Sequence, residues 1–278
     1  MKKYVLYISF MVSLTALTSC FQDLDQDPAF DYPKQPPILD YVKPKLAFTF
    51  EDNSEDMSVY KATTQVVGNA SYTQGKVKKA YQGADNSYIL ITPSTTPLNG
   101  GKSLHDVLSN LGSFSIAFWM NAEKPTKAIG LFSLTNNKGF WSYIDLFMEP
   151  GNSTQTNGRF KLHLSNGTKD DWVDKVIPET LGKWVHLVFR YDATTGKFTI
   201  FRNGAEVHSQ EFKTLGGIAC PNLGTLVIGT LPFQTTPPLT TGAGAQGWAG
   251  FYKGQLDQFY FFNEPINDVQ IKTLASEK

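Results

Sequence analysis

From Lys45 onward, apolar and polar residues alternate with a period of two in short runs broken by Gly, Asn, Asp and Pro. The alternation is cleanest in residues 182–207, GKWVHLVFRYDATTGKFTIFRNGAEV. In its first run Val185, Leu187, Phe189 and Tyr191 share one face, and Trp184, His186, Val188 and Arg190 share the other, because successive strand side chains point to opposite sides. Residues 192–196, DATTG, supply turn chemistry before a second run at 197–202. Asn203-Gly204 is a tight-turn signal that sends the chain back through 205–212. The pattern predicts an antiparallel meander.

The same reading predicts strands at 46–50, 79–83, 88–92, 113–121, 129–134, 143–148, 159–164, 225–229 and 255–262. Only 104–111 and 266–274 read as brief helices. Many short strands punctuated by turn residues, with no internal repeat, predict an all-β sandwich of two antiparallel sheets in one domain of roughly 230 residues, 45–278.

The first 44 residues carry a different pattern. Lys2 and Lys3 precede an almost unbroken apolar run at 4–17, shorter than the about 20 residues a membrane-spanning helix needs. The run ends in Leu17-Thr18-Ser19-Cys20, which resembles a bacterial lipobox. That resemblance implies a signal peptide at 1–19 and lipidation of Cys20. Residues 20–44 hold five aspartates, two lysines and five prolines, a composition expected to form an extended, solvated tether. The acidic run behind the cysteine, CFQDLDQD, resembles the export signal by which Bacteroidetes lipoproteins reach the cell surface. The expected location is therefore the outer membrane, lipid-anchored and facing the exterior. A periplasm-facing lipoprotein with an acidic linker is the alternative.

Charge and cysteine content narrow the partners. The formal net charge is 0, and loss of residues 1–19 removes two lysines and no acids, leaving −2. Such a chain lacks the positive charge that grips a phosphate backbone, so no nucleic-acid partner is expected. With Cys20 lipidated, Cys220 has no partner for an intramolecular disulfide and is expected to be a small buried hydrophobe.

The ending, residues 254–274 (GQLDQFYFFNEPINDVQIKTL), resembles the closing strand and helical turn of concanavalin A-like, laminin-G-like domains. Residues 79–91, residues 114–120 with Trp119, and residues 184–204 with their W-x-H and N-G elements resemble the same family in the family's order. The resemblance implies a jelly roll with one curved, concave sheet. It implies no activity, because this fold hosts lectins, carbohydrate-binding modules, adhesion domains and glycoside hydrolases.

Laminarinase-type glycosidases of this fold carry E-x-D-x-(x)-E on a strand, and a retaining pair needs its carboxylates about 5–5.5 Å apart. The nearest stretch is residues 143–149, YIDLFME. Tyr143 stands in the nucleophile's place and Phe147 or Met148 in that of the acid/base. The motif is absent, and no catalytic residue is assigned. His105, His163, His186 and His208 show no ligand spacing, and neither G-x-S-x-G nor a phosphate loop is present. No cofactor is required. In laminin-G-like relatives an acidic residue behind the first strand meets the closing-strand aspartate beside a structural calcium ion. The resemblance puts Glu51 and Asp257 in those places. The alternative is a solvated turn at 51–56, with Asp257 bonded to backbone amides.

Sugar rings present apolar C–H faces that stack on aromatic side chains, while carboxylates and amides bond the hydroxyls. Trp119 and Trp184 fall on strands of the shared pattern and are expected to pack in the scaffold. Trp141, Tyr143, Trp172 and Trp248 are flanked by turn or loop residues and are the expected stacking surfaces. Asp145, Asp170 and Asp171 are expected to orient hydroxyls. The function read from the chain is thus non-catalytic binding of a polysaccharide or oligosaccharide. Resemblance to bacterial surface glycan-binding lipoproteins adds a glycan-uptake system as the expected context. A protein-binding adhesion or structural module and a divergent glycoside hydrolase are the alternatives.

Overall fold

Alternation and turn chemistry produce the following strands in the computed structural model, which describes residues 41–241 and 243–277. They are β1 (Leu46–Phe48), β2 (Thr63–Val67), β3 (Ser71–Gln74), β4 (Lys79–Gln82), β5 (Tyr88–Thr92), β6 (Phe114–Asn121), β7 (Ala128–Leu134) and β8 (Ile144–Glu149). There follow β9 (Gly158–Ser165), β10 (Asp170–Ile177), β11 (Val185–Asp192), β12 (Lys197–Arg202), β13 (Ala205–Glu211), β14 (Leu226–Ile228), β15 (Ala249–Gly250) and β16 (Gln255–Phe262). Two short helices, α1 (Leu104–Ser109) and α2 (Asp268–Leu274), complete the elements. The expected meander is β11–β12–β13, and Asn203 and Gly204 take the two positive φ angles, 50° and 80°, that its second turn requires.

The strands make two sheets. The first runs β13-β12-β11-β6-β16-β4-β3, with β1 also paired to β16. The second runs β10-β9-β8-β7-β14-β5-β2, with β15 beside β7. All pairings are antiparallel except the two-residue β15–β7 contact. The inward alternates of both sheets form one core, in which Phe118 stacks on Phe189 and Phe259 at 6.1 and 5.7 Å between ring centroids. Phe132 of the second sheet meets Phe259 and Phe261 at 5.5 and 5.4 Å and so ties the sheets together. Each such buried ring stabilises the sandwich by roughly 1.5–3 kcal/mol.

α2 covers part of the outer face of the first sheet, where Ile266 and Ile271 pack on Ala117, Val188, Phe201 and Phe262. Asn267 caps it by accepting from the Gln270 amide at 2.8 Å. This layer moves the start of the folded unit from Lys45 to Tyr41. Val42 packs there, and its amide and carbonyl bond the two ends of the Gln270 side chain at 3.1 and 2.8 Å. The signal segment, Cys20 and the tether up to residue 40 lie outside the described residues. Among the described residues no helix is long and apolar enough to cross a membrane.

Besides the two-residue β15, three strands exceed the sequence reading: β2, β3 and β10. Each is the last strand of its sheet, so solvent takes much of its surface and polar residues mask the alternation. β10 matters most, because Trp172 sits on this edge strand and not on a loop.

Candidate functional site

The site is built on the outward face of β8, β9 and β10. Ile144, Leu146 and Met148 enter the core, so Asp145, Phe147 and Glu149 face out. On β9 the outward residues are Arg159, Lys161 and His163, and on β10 they are Asp170, Trp172 and Asp174. Register places Trp172, His163 and Asp145 side by side, with Asp174, Lys161 and Phe147 in the next row but one along the strands.

Over this face folds the segment after β7. Gly139 allows its turn, since a Cβ there would stand 2.7 Å from the Trp141 carbonyl and 2.8 Å from the Asn136 side chain. The Ser142 amide then donates to the Asp145 carboxylate at 2.6 Å, which fixes Trp141 next door. Trp141 lies almost flat on Phe147, 5.7 Å between centroids and 15° from parallel. Trp172 stands at 87° to it, 5.0 Å away, and Trp248 lies 6.1 Å away with a 40° tilt. Phe233 contacts Phe140, Trp248 and Trp141 at 4.7, 5.3 and 6.0 Å. Phe147 is 1% exposed, Trp141 is half-buried, and Trp172 and Trp248 are 39% and 43% exposed. The result is an aromatic surface with a floor and a wall.

Polar groups sit at its Trp172 end. The His163 ring is 4.7 Å from Trp172, with Nδ1 3.8 Å from the Asp145 carboxylate and Nε2 3.6 Å from Asp170. Asp145 is 1% exposed and also accepts from the Ser133 hydroxyl at 2.6 Å. Burial pushes its carboxyl above the usual range, against the pull of His163 and these donors. Nearby, Arg159 bonds both oxygens of Asp174 at 2.6 and 2.5 Å and holds its carboxyl below the usual range. Lys161 stands 3.5 Å from Glu149 and 3.8 Å from Asp174.

Trp141, Trp172, Trp248 and Asp170 therefore share one surface. The other three expected binding residues do not reach it. Tyr143 is fully buried, and its hydroxyl accepts from the Asn222 amide at 2.9 Å. A bend just ahead of β8 breaks the alternation and turns its ring into the core. Asp145 is spent on Ser133 and Ser142 and positions the Trp141 loop. Asp171 falls on the opposite face of β10 from Trp172, and partial burial and the charge of Asp170 raise its carboxyl. Phe140, Phe147, Phe233 and His163 were not singled out by sequence reasoning. The outward parity of Phe147 and His163 was available as a signal; for Phe233, in the 3₁₀ turn Pro232–Gln234, the signal was its place in the long Thr-, Pro- and Gly-rich stretch 231–251 that also holds Trp248.

Catalytic geometry is poorly served here. Asp145 and Glu149 are four residues apart on one strand, roughly 13 Å. Glu149 and Asp174 flank Lys161, and Asp174 is made more acidic, the reverse of what a proton donor needs. Cys220 is buried in the core, and burial pushes its thiol far up, so it behaves as the expected hydrophobe.

Asp257 lies at the bulge in β16, fully buried, with Oδ2 accepting from the Val77 amide at 2.8 Å. Its Oδ1 has no hydrogen-bond partner. Burial raises its carboxyl to about 6, opposed by the amides of Val77, Gln258 and Lys76 and helped by the charge of Glu51. Glu277 joins this corner, raised to about 7 by burial and by Asp257. Hard carboxylate oxygens, one of them buried without a partner, suit a calcium ion in kind. Among the described residues no three His, Cys, Asp or Glu side chains converge as a metal site.

Fold and surface together define a two-sheet jelly-roll domain that displays an aromatic binding-type face. Residues 94–272 match the family model for the concanavalin A-like lectin/glucanases superfamily, and the chain belongs to that superfamily. Among solved structures it is similar to the binding domain of botulinum neurotoxin DC (TM-score 0.56, 16% identity, 84% of this chain and 51% of that one). It is also similar to the binding domain of Paraclostridial Mosquitocidal Protein 1 (TM-score 0.59, 15% identity, 84% and 52%). A botulinum neurotoxin type C structure aligns with TM-score 0.57 and 15% identity over 84% and 50%. The chain spans about half the length of these structures, and at such identities the likeness is one of fold. No curated protein matches the chain.

Proposed function

We propose that the protein binds polysaccharide or oligosaccharide without cleaving it, on the face formed by Trp141, Trp172 and Trp248. One observation carries this reading: three tryptophans from separate segments converge, and two of them keep about two-fifths of their surface in solvent. Exposed apolar clusters of this kind mark interaction sites. Trp141 supplies the flat surface for a sugar ring, Trp172 the wall, and Asp170, with the buried His163 behind it, the polar group beside it. The superfamily supports the class of ligand. So do two of the structures of this fold: the neurotoxin DC domain in complex with SialylT, and the type C toxin whose cell entry depends on two ganglioside molecules.

The test is calorimetry of the full chain against a panel of soluble polysaccharides, with reducing-sugar release measured in parallel. Binding that weakens about thirtyfold in Trp141→Ala, with no sugar released, is the expected result. No binding across the panel, or cleavage of any member, would sink the reading. A protein ligand is the second reading, favoured by the neurotoxin DC domain in complex with rat synaptotagmin II. It requires capture of a protein partner that no glycan displaces.

The anchor and address belong to the same proposal: Cys20 lipidated, the chain in the outer membrane facing outward, and the domain holding glycan for an uptake system. Basic start, apolar run, Cys20 and acidic tether in that order support it. Loss of labelled-lipid incorporation in Cys20→Ala, and protease sensitivity of the domain on intact cells, are its checks. Calcium at Glu51 and Asp257 is likewise proposed, on the unpartnered Asp257 Oδ1.

A further inference from the structure

A cleft of about 810 Å³ opens where the chain passes from β6 to β7, walled by that connection, β15 and the turn before β16. One wall is a row of amides. Gln82, Gln255 and Asn121 are register neighbours on β4, β16 and β6. The row is locked: Asn121 Nδ2 donates to Gln255 Oε1 at 3.1 Å, Gln255 Nε2 to Thr73 Oγ1 at 2.7 Å, and Gln82 Nε2 to the Lys253 carbonyl at 2.5 Å. The oxygens of Asn121 and Gln82 have no hydrogen-bond partner among the described residues, so the row presents fixed acceptors. Ile129, Ala249 and Phe251 line the cleft with apolar surface. Of its charges, Lys253 is paired with Asp85 at 2.7 Å and Glu123 stands beside Lys124, which leaves the single positive charge of Lys127. Held amides next to apolar surface, with only one lysine in excess, suit a neutral polyhydroxylated ligand.

The cleft starts where the aromatic surface ends. Ala249 lines the cleft and belongs to the apolar cluster in which Phe147 and Phe233 pack against Trp141. Trp248 directly precedes Ala249, its carbonyl held by the Ala128 amide at 3.0 Å. Gln234, the neighbour of Phe233, also lines the cleft and accepts from the Gln246 amide at 2.9 Å. We propose that the cleft is a second carbohydrate subsite continuous with the tryptophan surface, so that the ligand is an uncharged polysaccharide strand held along its length. This rests on the reading that the tryptophans bind glycan. Two linked subsites make the second contact intramolecular, so affinity must grow with chain length until both are filled.

The test uses the full chain and size-graded oligosaccharides cut from whichever neutral polysaccharide it binds, in a panel of β-glucan, xylan, mannan and dextran, read by calorimetry. Asn121→Ala removes a fixed acceptor. Thr126→Trp, at an exposed rim position, obstructs the cleft without touching the core. Both are expected to weaken long chains about tenfold and to leave a disaccharide or trisaccharide unchanged. Affinity that is flat with length, or long-chain binding unaltered in both variants, overturns the cleft and spares the tryptophan surface. Loss in the cleft variants alongside normal binding by Trp141→Ala overturns the continuity and the tryptophan reading together. No binding of any member by the parent chain overturns both.

Discussion

Trp141 rests on Phe147 as one ring on another, 5.7 Å apart and 15° from parallel, and Phe147 is sealed from solvent beneath it. The two rings should therefore respond differently to substitution. Trp141→Ala removes a half-exposed ring; glycan affinity should fall by about 2 kcal/mol, near thirtyfold, with a much smaller effect on melting temperature. Phe147→Ala empties a packed site and should cost about 3–5 kcal/mol in denaturant unfolding as well as weakening binding. Equal stability losses in the two variants would contradict the arrangement.

Asp145 acts through the loop it holds. Asp145→Ala strands the Ser133 hydroxyl and the Ser142 amide, both bonded at 2.6 Å. It should cost roughly 2–4 kcal/mol of stability and weaken binding by loosening Trp141. Asp170→Asn, at a side chain 61% exposed, should leave stability unchanged and weaken binding only modestly. Comparing unfolding and calorimetry for this pair separates positioning from contact.

Tyr143→Phe leaves the Asn222 amide without its acceptor. A loss of about 1–2 kcal/mol in stability is expected, with polysaccharide affinity unchanged. A binding defect in this folded variant would place Tyr143 back at the ligand.

Asp257 makes a pH-dependent prediction. Its folded carboxyl is raised to about 6, so the fold holds that proton more tightly than the unfolded chain does. The stability this supplies is full below the unfolded value, about 3.9, and is lost as pH rises through 6. Glu277, raised to about 7, acts with the same sign. Buried His186, lowered to about 3, acts with the opposite sign, but equally in parent and variant. Asp257→Asn should thus gain in melting temperature relative to the parent between pH 4 and 7. Calcium favours the ionised carboxylates, so it should raise the parent's melting temperature at pH 7.5 more than at pH 5, and not that of Asp257→Asn. Calcium-independent melting at pH 7.5 would remove the metal from this corner.

Much of the scaffold could be read directly. β11, β12 and β13 follow from strict alternation and the Asn203-Gly204 turn, and both helices lie where expected. Trp119 was expected to pack in the scaffold, and does. β10 escaped because an edge strand buries only Val173 and Ile177 fully, leaving too few apolar positions to show a period. Tyr143 escaped for another reason. Period two predicts it beside Asp145 and Phe147, and one bend reverses it.

Local pattern determines which residues become strands and which of their faces is apolar, because alternation and turn residues are properties of neighbouring positions. Those were enough to make Trp141, Trp172 and Trp248 candidates. That they meet was decided only by the tertiary structure. Trp141 arrives by a loop pinned to Asp145, Trp172 by β9–β10 register, and Trp248 by the bond from Ala128 that sets β15 beside β7. Their sequence separations of 31 and 76 residues leave no periodic trace. Contacts between segments that far apart are set by packing and hydrogen bonding across the fold, and so is the cleft that begins where they end.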